Sequence, residues 1–519
     1  MNYRKILEDV KNVDELGYVI DTHFFAMVLA CPLEFKSALH NAPDEWFMSN
    51  PRYHFAKALV SSMGNSITQD GYAQVALEQE YSATATPASR DLLGIMYGRL
   101  THLLATGKFD SAGHLAREIY DAIEEADDTR GFEDLVPMLL FRVGTTRLLQ
   151  GDLNAAIATL WDARRWARFN GTHPADTYLG DTLALCYALQ GDIVRARECL
   201  SEDAGNRQVP AGTLSSRLEF IGILSIAVMA MAALDGNTAM TALNKMGADL
   251  NDAEYWWVGA HIQARYALYW GDSVAAIDSL ENKLSQQRVL APASSLAGTI
   301  LRSDLSDLYQ SIGALSNAER PLKEVGLISS NTQVIASNFR LEILRGNSKQ
   351  ALSSIDDFLT EIPSPLGMTP TMSALRAVAF YNLHDHSSAL AELSRCRYIG
   401  NLRGSTEAMM EITPELLALS NTSGGPIHGV ERYSFQYKNS EPQVKLSNRE
   451  LEVLVILVLH ASSRSIAKVL FISVNTVKFH LRNIYSKLEV NSREQALQRA
   501  TELGFISEDQ FNDSAQVIT

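Results

Sequence analysis

Cysteine is scarce in this chain. The four residues Cys31, Cys186, Cys199 and Cys396 lie far apart with no close pair, so neither a disulfide framework nor a zinc finger is expected, and free thiols suit a reducing cytoplasm. Long apolar runs are also missing. The longest uncharged stretch, FIGILSIAVMAMAAL at 220–234, has fifteen residues, whereas a bilayer span needs roughly twenty. It reads as a buried helix, and no membrane partner is expected. The N-terminus, MNYRKILEDVKNVDEL, is charged from its start and has no apolar leader region. GxSxG, HExxH and any close nucleophile–base pair are absent. The triplet His384-Asp385-His386 lacks further metal ligands and reads as solvent-facing polar filler. No catalytic residue, metal or cofactor is assigned, and the chain is not read as an enzyme.

What the chain has is length, apolar content and an uneven charge. Its 519 residues allow three or four domains, and 46% apolar against 20% charged residues describes a chain able to bury sizeable cores. The net charge is −15, yet residues 445–505 hold nine Lys/Arg against five Asp/Glu, while residues 1–444 carry a balance of −16. A basic island on an acidic chain is what a polyanion-binding module needs. The same split leads to the expectation that the acidic part shields the basic end.

Between residues 48 and 420 the informative signal is a repeat. The turns LATGKFDSA, LLQGDLNAA, ALQGDIVRA, LYWGDSVAA, QSIGALSNA and ILRGNSKQA place an alanine five residues after a glycine: Gly107/Ala112, Gly151/Ala156, Gly191/Ala196, Gly271/Ala276, Gly313/Ala318 and Gly346/Ala351. LDGNTAMTA at Gly236 and NLHDHSSA at His384 are weaker copies. Glycine takes a left-handed turn, and the small alanine lets the second helix approach the first. With steps of about thirty-three to forty-five residues the pattern resembles tetratricopeptide repeats of irregular length, which implies a curved stack of helix hairpins with a concave surface. LHNAPDEWFMSNPRYHFAKALVSSMG, from Leu39, resembles the entry into the repeats of MalT-like regulators. Those carry an ATPase module, but the phosphate-cradling GxxxxGK[ST] is absent here.

The basic end contains helices and little else. Ser447-Asn448-Arg449-Glu450 and Ser492-Arg493-Glu494-Gln495 are capping boxes, each opening a helix. SSRSIAKVLFIS and SVNTVKFHLRNIYSKL read as two helices joined by the tight break Phe471-Ile472-Ser473, which makes a helix-turn-helix. In the second, Val477, Leu481, Ile484 and Leu488 form one apolar stripe. Asn475, Lys478, Phe479, Arg482 and Ser486 fall opposite. LSNRELEVL, IAKVLFIS, NTVKFHLRNIYSKL and SREQA resemble the LuxR-type (GerE-type) helix-turn-helix of bacterial transcription regulators. The chain departs from that pattern at His460, where the family has glycine, and at Ser465, where it has an acidic residue.

The expected fold is all-α: a superhelical stack of tetratricopeptide-like hairpins followed by a four-helix LuxR-type domain. The expected divisions are an N-terminal helical cap at 1–47, a repeat sensor at 48–420, a linker at 421–444, the DNA-binding domain at 445–507 and a tail at 508–519. RYSFQYK, before the domain, reads as one short extended segment. The resemblance implies that Lys478, Phe479, Arg482 and Asn475 face base edges of double-stranded DNA. Arg464, Lys468, Ser473 and Thr476 are assigned to phosphate. Ala496, Leu497 and Ala500 are assigned to dimer pairing. Trp161, Arg165, Trp256 and Trp257 are the candidates for a small-molecule, peptide or protein signal, and the same side chains could equally wedge repeat helices together. The function expected is a cytoplasmic one-component transcription regulator. The alternatives are one subunit of a heteromeric regulator, paired as a heterodimer rather than a homodimer, and a repeat scaffold that binds no DNA.

Overall fold

The computed structural model describes residues 2–49, 89–126, 131–169, 173–201, 214–246, 255–325, 331–361, 369–424, 446–459, 462–488 and 490–502, with isolated positions between them. Every regular element among the described residues is helical. RYSFQYK, His460 and Gly504 lie outside them. The chain divides into two compact units: residues 1–262, 287–299 and 397–407, and residues 263–286, 300–396 and 408–519.

The first unit opens with α1 (Tyr3–Glu8), α2 (Val13–Ala30), α3 (Pro32–Asn41) and α4 (Asp44–Ser49). Four helix hairpins follow: α5 (Ser89–Ala105) with α6 (Phe109–Glu124), α7 (Val136–Leu149) with α8 (Leu153–Phe169), α9 (Ala175–Leu189) with α10 (Ile193–Cys199), and α11 (Leu214–Ala232) with α12 (Gly236–Met246). Helix α11 contains all but the last two residues of the uncharged run, and Ile221, Leu224, Ser225 and Ala227 are fully buried. No described helix is long and apolar enough to cross a membrane.

Helix α13 (Trp256–Trp270) begins in the first unit and ends in the second, where α14 (Ser273–Gln286) completes its hairpin. Three more hairpins follow: α15 (Leu296–Ser311) with α16 (Leu315–Val325), α17 (Thr332–Leu344) with α18 (Ser348–Glu361), and α19 (Pro370–Asn382) with α20 (His386–Arg403). A short 3-10 turn at Glu407–Glu411 leads to α21 (Pro414–Gly424), so helix continues four residues into the stretch expected to be linker.

Local chemistry explains the hairpin turns. Gly107, Gly151, Gly191, Gly313 and Gly346 have φ between +71° and +91°, and the residue after each donates its amide five residues back, as in Asp192 N to Tyr187 O at 2.9 Å. This is the left-handed stop of one helix. That following residue then starts the next helix: Asp152 and Asp192 accept the amides of Ala155 and Arg195 at 2.9 and 3.1 Å. A glycine–aspartate pair thus ends one helix and caps another.

The two weaker copies use the same device with other residues. Leu234 and His384 take φ of +56° and +63°, so the turn in LDGNTAMTA is centred on Leu234 rather than on Gly236, which lies inside α12. Ala239 and Ala389 follow five residues later, and with Ala112, Ala156, Ala196, Ala318 and Ala351 they are fully buried. The turn at Gly271 differs from the expectation. Gly271 has no positive φ; its amide bonds Ala267 O at 3.1 Å, and an added Cβ would stand 2.9 Å from Ala267 Cα. Closeness, not handedness, calls for glycine there, and Ala276 is only partly buried.

These turns carry a paired prediction. Gly191 has open space around its missing Cβ, so Gly191→Val acts through backbone strain alone and should lower the melting point by the equivalent of ~1–2 kcal/mol. His384→Gly relieves the same strain at an exposed position and should raise it by up to about 1 kcal/mol. Melting curves that move the same way for both variants would refute the shared turn geometry.

Polar side chains knit the second unit internally. Asp307 on α15 receives Arg265 at 2.8 Å and Arg340 at 2.6 Å, and Ser337 Oγ donates to it at 2.6 Å. Arg340 also grips Glu411 through two bonds of 2.7 Å. All four charged residues are buried. The apolar core of α17–α21, including Ala351, Ile355, Met372, Ala389 and Leu416, packs beside them.

Candidate nucleic-acid interface

Residues 446–502 form four helices: α22 (Asn448–Leu459), α23 (Ser463–Leu470), α24 (Val474–Lys487) and α25 (Arg493–Glu502). Their core joins Val453, Leu454, Ile466, Val477, Ile484 and Ala496. A serine caps each helix start. Ser447 Oγ accepts the Glu450 amide at 3.2 Å and Glu450 Oε2 accepts the Ser447 amide at 2.8 Å, a complete capping box. Ser462 Oγ accepts the Ser465 amide at 3.2 Å while the two hydroxyls meet at 2.8 Å. Ser465, where the resemblance has an acidic residue, therefore still closes the cap. Ser492 Oγ accepts the Gln495 amide at 3.2 Å, but Gln495 reaches Asn491 rather than Ser492.

The break between α23 and α24 turns on Phe471. It takes a left-handed conformation, φ +52° and ψ +42°, and is 95% exposed. A large aromatic at such a position is uncommon and strained. Reading FIS only as a tight break missed this residue, and no periodicity would have found it. Ser473 then caps α24, accepting the Thr476 amide at 3.0 Å.

Helix α24 presents the two expected faces. Val477 and Ile484 are fully buried, Leu488 is nearly so, and Leu481 is half-buried. Asn475, Lys478 and Arg482 are exposed, and Phe479 is 53% exposed with no core around it. Arg464, Lys468 and Ser473 are exposed on the flanking helix and turn, while Thr476 is half-buried. Lys487 is different from the other cations of α24. Its ammonium lies 2.7 Å from Glu450 and both side chains are buried, so it ties the end of α24 to the start of α22 instead of facing outwards.

Three other sequence expectations meet a different arrangement. Ala496, Leu497 and Ala500 are 0%, 2% and 0% exposed inside the four-helix core. They cannot also form a pairing face, because inward apolar residues of a small domain are consumed by its own core. Trp256 and Trp257, at the start of α13, are buried at 7% and 1% exposure. Trp161 is partly exposed and donates to Tyr187 OH at 3.1 Å, and Arg165 points to solvent beside Asp162. The four do not converge on one site.

Residues 444–500 match the family described as bacterial regulatory proteins, luxR family. This segment is a LuxR-type domain. The chain is 29% identical over 212 residues to the probable csgAB operon transcriptional regulatory protein of Salmonella typhimurium, covering 40% of this chain and 89% of that protein. It is 27% identical over 218 residues to the CsgBAC operon transcriptional regulatory protein of Escherichia coli, covering 41% and 92%. The transcriptional regulatory protein LiaR of Bacillus subtilis is 42% identical over 59 residues, 11% of this chain and 28% of that one. The exposed cations and Phe479 of the LuxR-type domain lie on the helix that follows the turn, the one that enters a major groove in helix-turn-helix proteins.

Proposed function

We propose that the protein is a cytoplasmic DNA-binding transcription regulator whose helical hairpins receive a signal and whose LuxR-type domain reads promoter DNA. The observation that carries this reading is the two-faced helix α24: an apolar stripe spent on the core and Asn475, Lys478, Phe479 and Arg482 left exposed. Lys478 or Arg482 can donate to guanine O6 and N7, and Phe479 can rest on a thymine methyl. Arg464, Lys468, Ser473 and Thr476 are proposed to hold phosphate and set register. The transcriptional regulators among the relatives support the same reading. The hairpins before the domain are proposed as a tetratricopeptide-like sensor, with the LuxR-type domain acting on inverted half-sites as a dimer. Pairing would then use a surface other than Ala496, Leu497 and Ala500.

The test is a gel shift with genomic fragments, followed by site selection with two variants. Lys468→Ala should weaken binding to all sequences alike and lower the salt slope by about one. Phe479→Ala should relax preference at one base position, worth ~1–3 kcal/mol, and leave non-specific binding nearly intact. A Phe479→Ala protein that melts earlier with its base preference unchanged would sink the readout assignment.

A further inference from the structure

Phe471 works against the stability of its own domain on two counts. Its backbone is held left-handed by the end of α23, where the Phe471 and Ile472 amides both bond back to Ala467 O, the second at 3.1 Å. A helix ending of this kind favours glycine, which has no Cβ to strain. Its ring is 95% exposed, so the apolar surface it carries stays in water and fills no core. Ile472, one residue on, does pack against the core. The turn therefore uses Ile472 and the left-handed backbone, and has no structural use for a phenyl ring at 471.

The surroundings say what the ring faces. From Ser462 to Leu488 the chain has no Asp or Glu, and Arg464, Lys468, Lys478 and Arg482 are exposed. Arg464, Lys468 and Phe471 follow one another at spacings of four and three, which brings them along one side of α23. Ser473 and Asn475, exposed beyond the turn, lead that row into the start of α24. The ring thus stands where the cations assigned to phosphate meet the helix assigned to base edges. We infer that Phe471 packs on the deoxyribose of a DNA strand at the groove edge, between the phosphates met by Lys468 and by the start of α24. The inference rests on the DNA-binding reading above. A DNA strand alternates charged phosphates with sugars whose faces are C–H groups, so a ring set between two phosphate-binding positions meets a sugar. Such a contact takes apolar surface out of water, releases no counter-ion and carries no sequence information. A ring already fixed outwards by a locked backbone also loses little freedom on binding, which gives the strain a use.

The experiment uses the full chain and a random-sequence duplex pool, titrated at several salt concentrations, with the bound fraction sequenced. Phe471→Gly should melt at or above the wild-type temperature, because strain is relieved and no packing is lost. It should bind DNA about five- to thirtyfold more weakly, the weight of burying much of one phenyl ring, with the salt slope and the bound sequences unchanged. Phe471→Tyr keeps the ring and should bind as the wild type does. Lys468→Ala is the contrast, because it loses affinity and about one unit of salt slope together. A Phe471→Gly chain that binds as tightly as the wild type overturns the contact and leaves the ring to a protein partner. A lower melting point for Phe471→Gly overturns the premise that the ring is idle in the folded domain. A slope that falls, or a base preference that shifts, puts the ring's effect on phosphate or on a base and overturns the sugar contact. No binding by any form, wild type included, removes the DNA-binding reading itself and the contact with it.

Discussion

Arg340→Ala is expected to lower the melting transition of the second unit by about 6–20 °C. The guanidinium bridges two carboxylates, Asp307 at 2.6 Å and Glu411 at 2.7 Å, in surroundings where all three side chains are at most 5% exposed. Removing one partner of a buried ion pair costs ~3–5 kcal/mol because the remaining charge has neither water nor counter-ion. In a body of roughly 150–250 residues each kcal/mol shifts the transition by about 2–4 °C. Asp307 keeps Arg265 at 2.8 Å, so the larger penalty falls on Glu411. Arg340→Lys should recover only part of the loss, since one ammonium cannot reproduce two parallel bonds to Glu411. Arg340→Met with Glu411→Leu should recover more of it, because well-packed apolar replacements of buried ion pairs are often neutral. If calorimetry finds the Arg340→Ala transition unmoved, the network contributes nothing and the unit is held by its apolar core alone.

That network also shows where reading the sequence runs out. The hairpin turns were legible because their chemistry is local: a left-handed glycine ends one helix, at Gly151 and Gly191 the aspartate beside it caps the next, and an alanine one turn later sits fully buried. Even there the alanine spacing carried the register better than the glycine did. Leu234 and His384 occupy the left-handed position without being glycine, and Gly271 is glycine without occupying it. The two faces of α24 were legible for the same reason, since a period of 3.6 residues sorts Val477 and Ile484 from Lys478 and Arg482 within one helix. Arg265, Asp307, Arg340 and Glu411 come from segments 33 to 71 residues apart. Nothing local in their sequence separates them from solvent-facing charges. Trp256 and Trp257 were ambiguous because an aromatic pair looks the same whether it lines a pocket or fills a core, and burial alone decides.

Lys487 gives the sharpest case, because it is a cation on the same helix as Lys478 and Arg482 and yet lies in the core. Lys487→Met should remove a third or more of the stability of the LuxR-type domain and weaken DNA binding with it, although the side chain touches no phosphate. The buried Glu450 carboxylate would lose its counter-ion at 2.7 Å, a cost of ~3–5 kcal/mol. A domain of about sixty residues has only ~3–9 kcal/mol of stability at ~0.05–0.15 kcal/mol per residue. The double variant Lys487→Met with Glu450→Met removes both charges and leaves two apolar side chains of suitable length. It should refold, less about 1 kcal/mol for the Ser447 amide that Glu450 no longer caps. A lysine that held phosphate would behave otherwise: the refolded double variant would bind DNA more weakly, and its salt slope would fall by about one. The geometry calls for an unchanged slope and a base preference equal to that of the wild type. Circular dichroism reports the refolding and salt-dependent gel shifts report the slope. A refolded double variant with a flattened slope would put Lys487 on the DNA-contacting face and remove its role as the tie between α22 and α24.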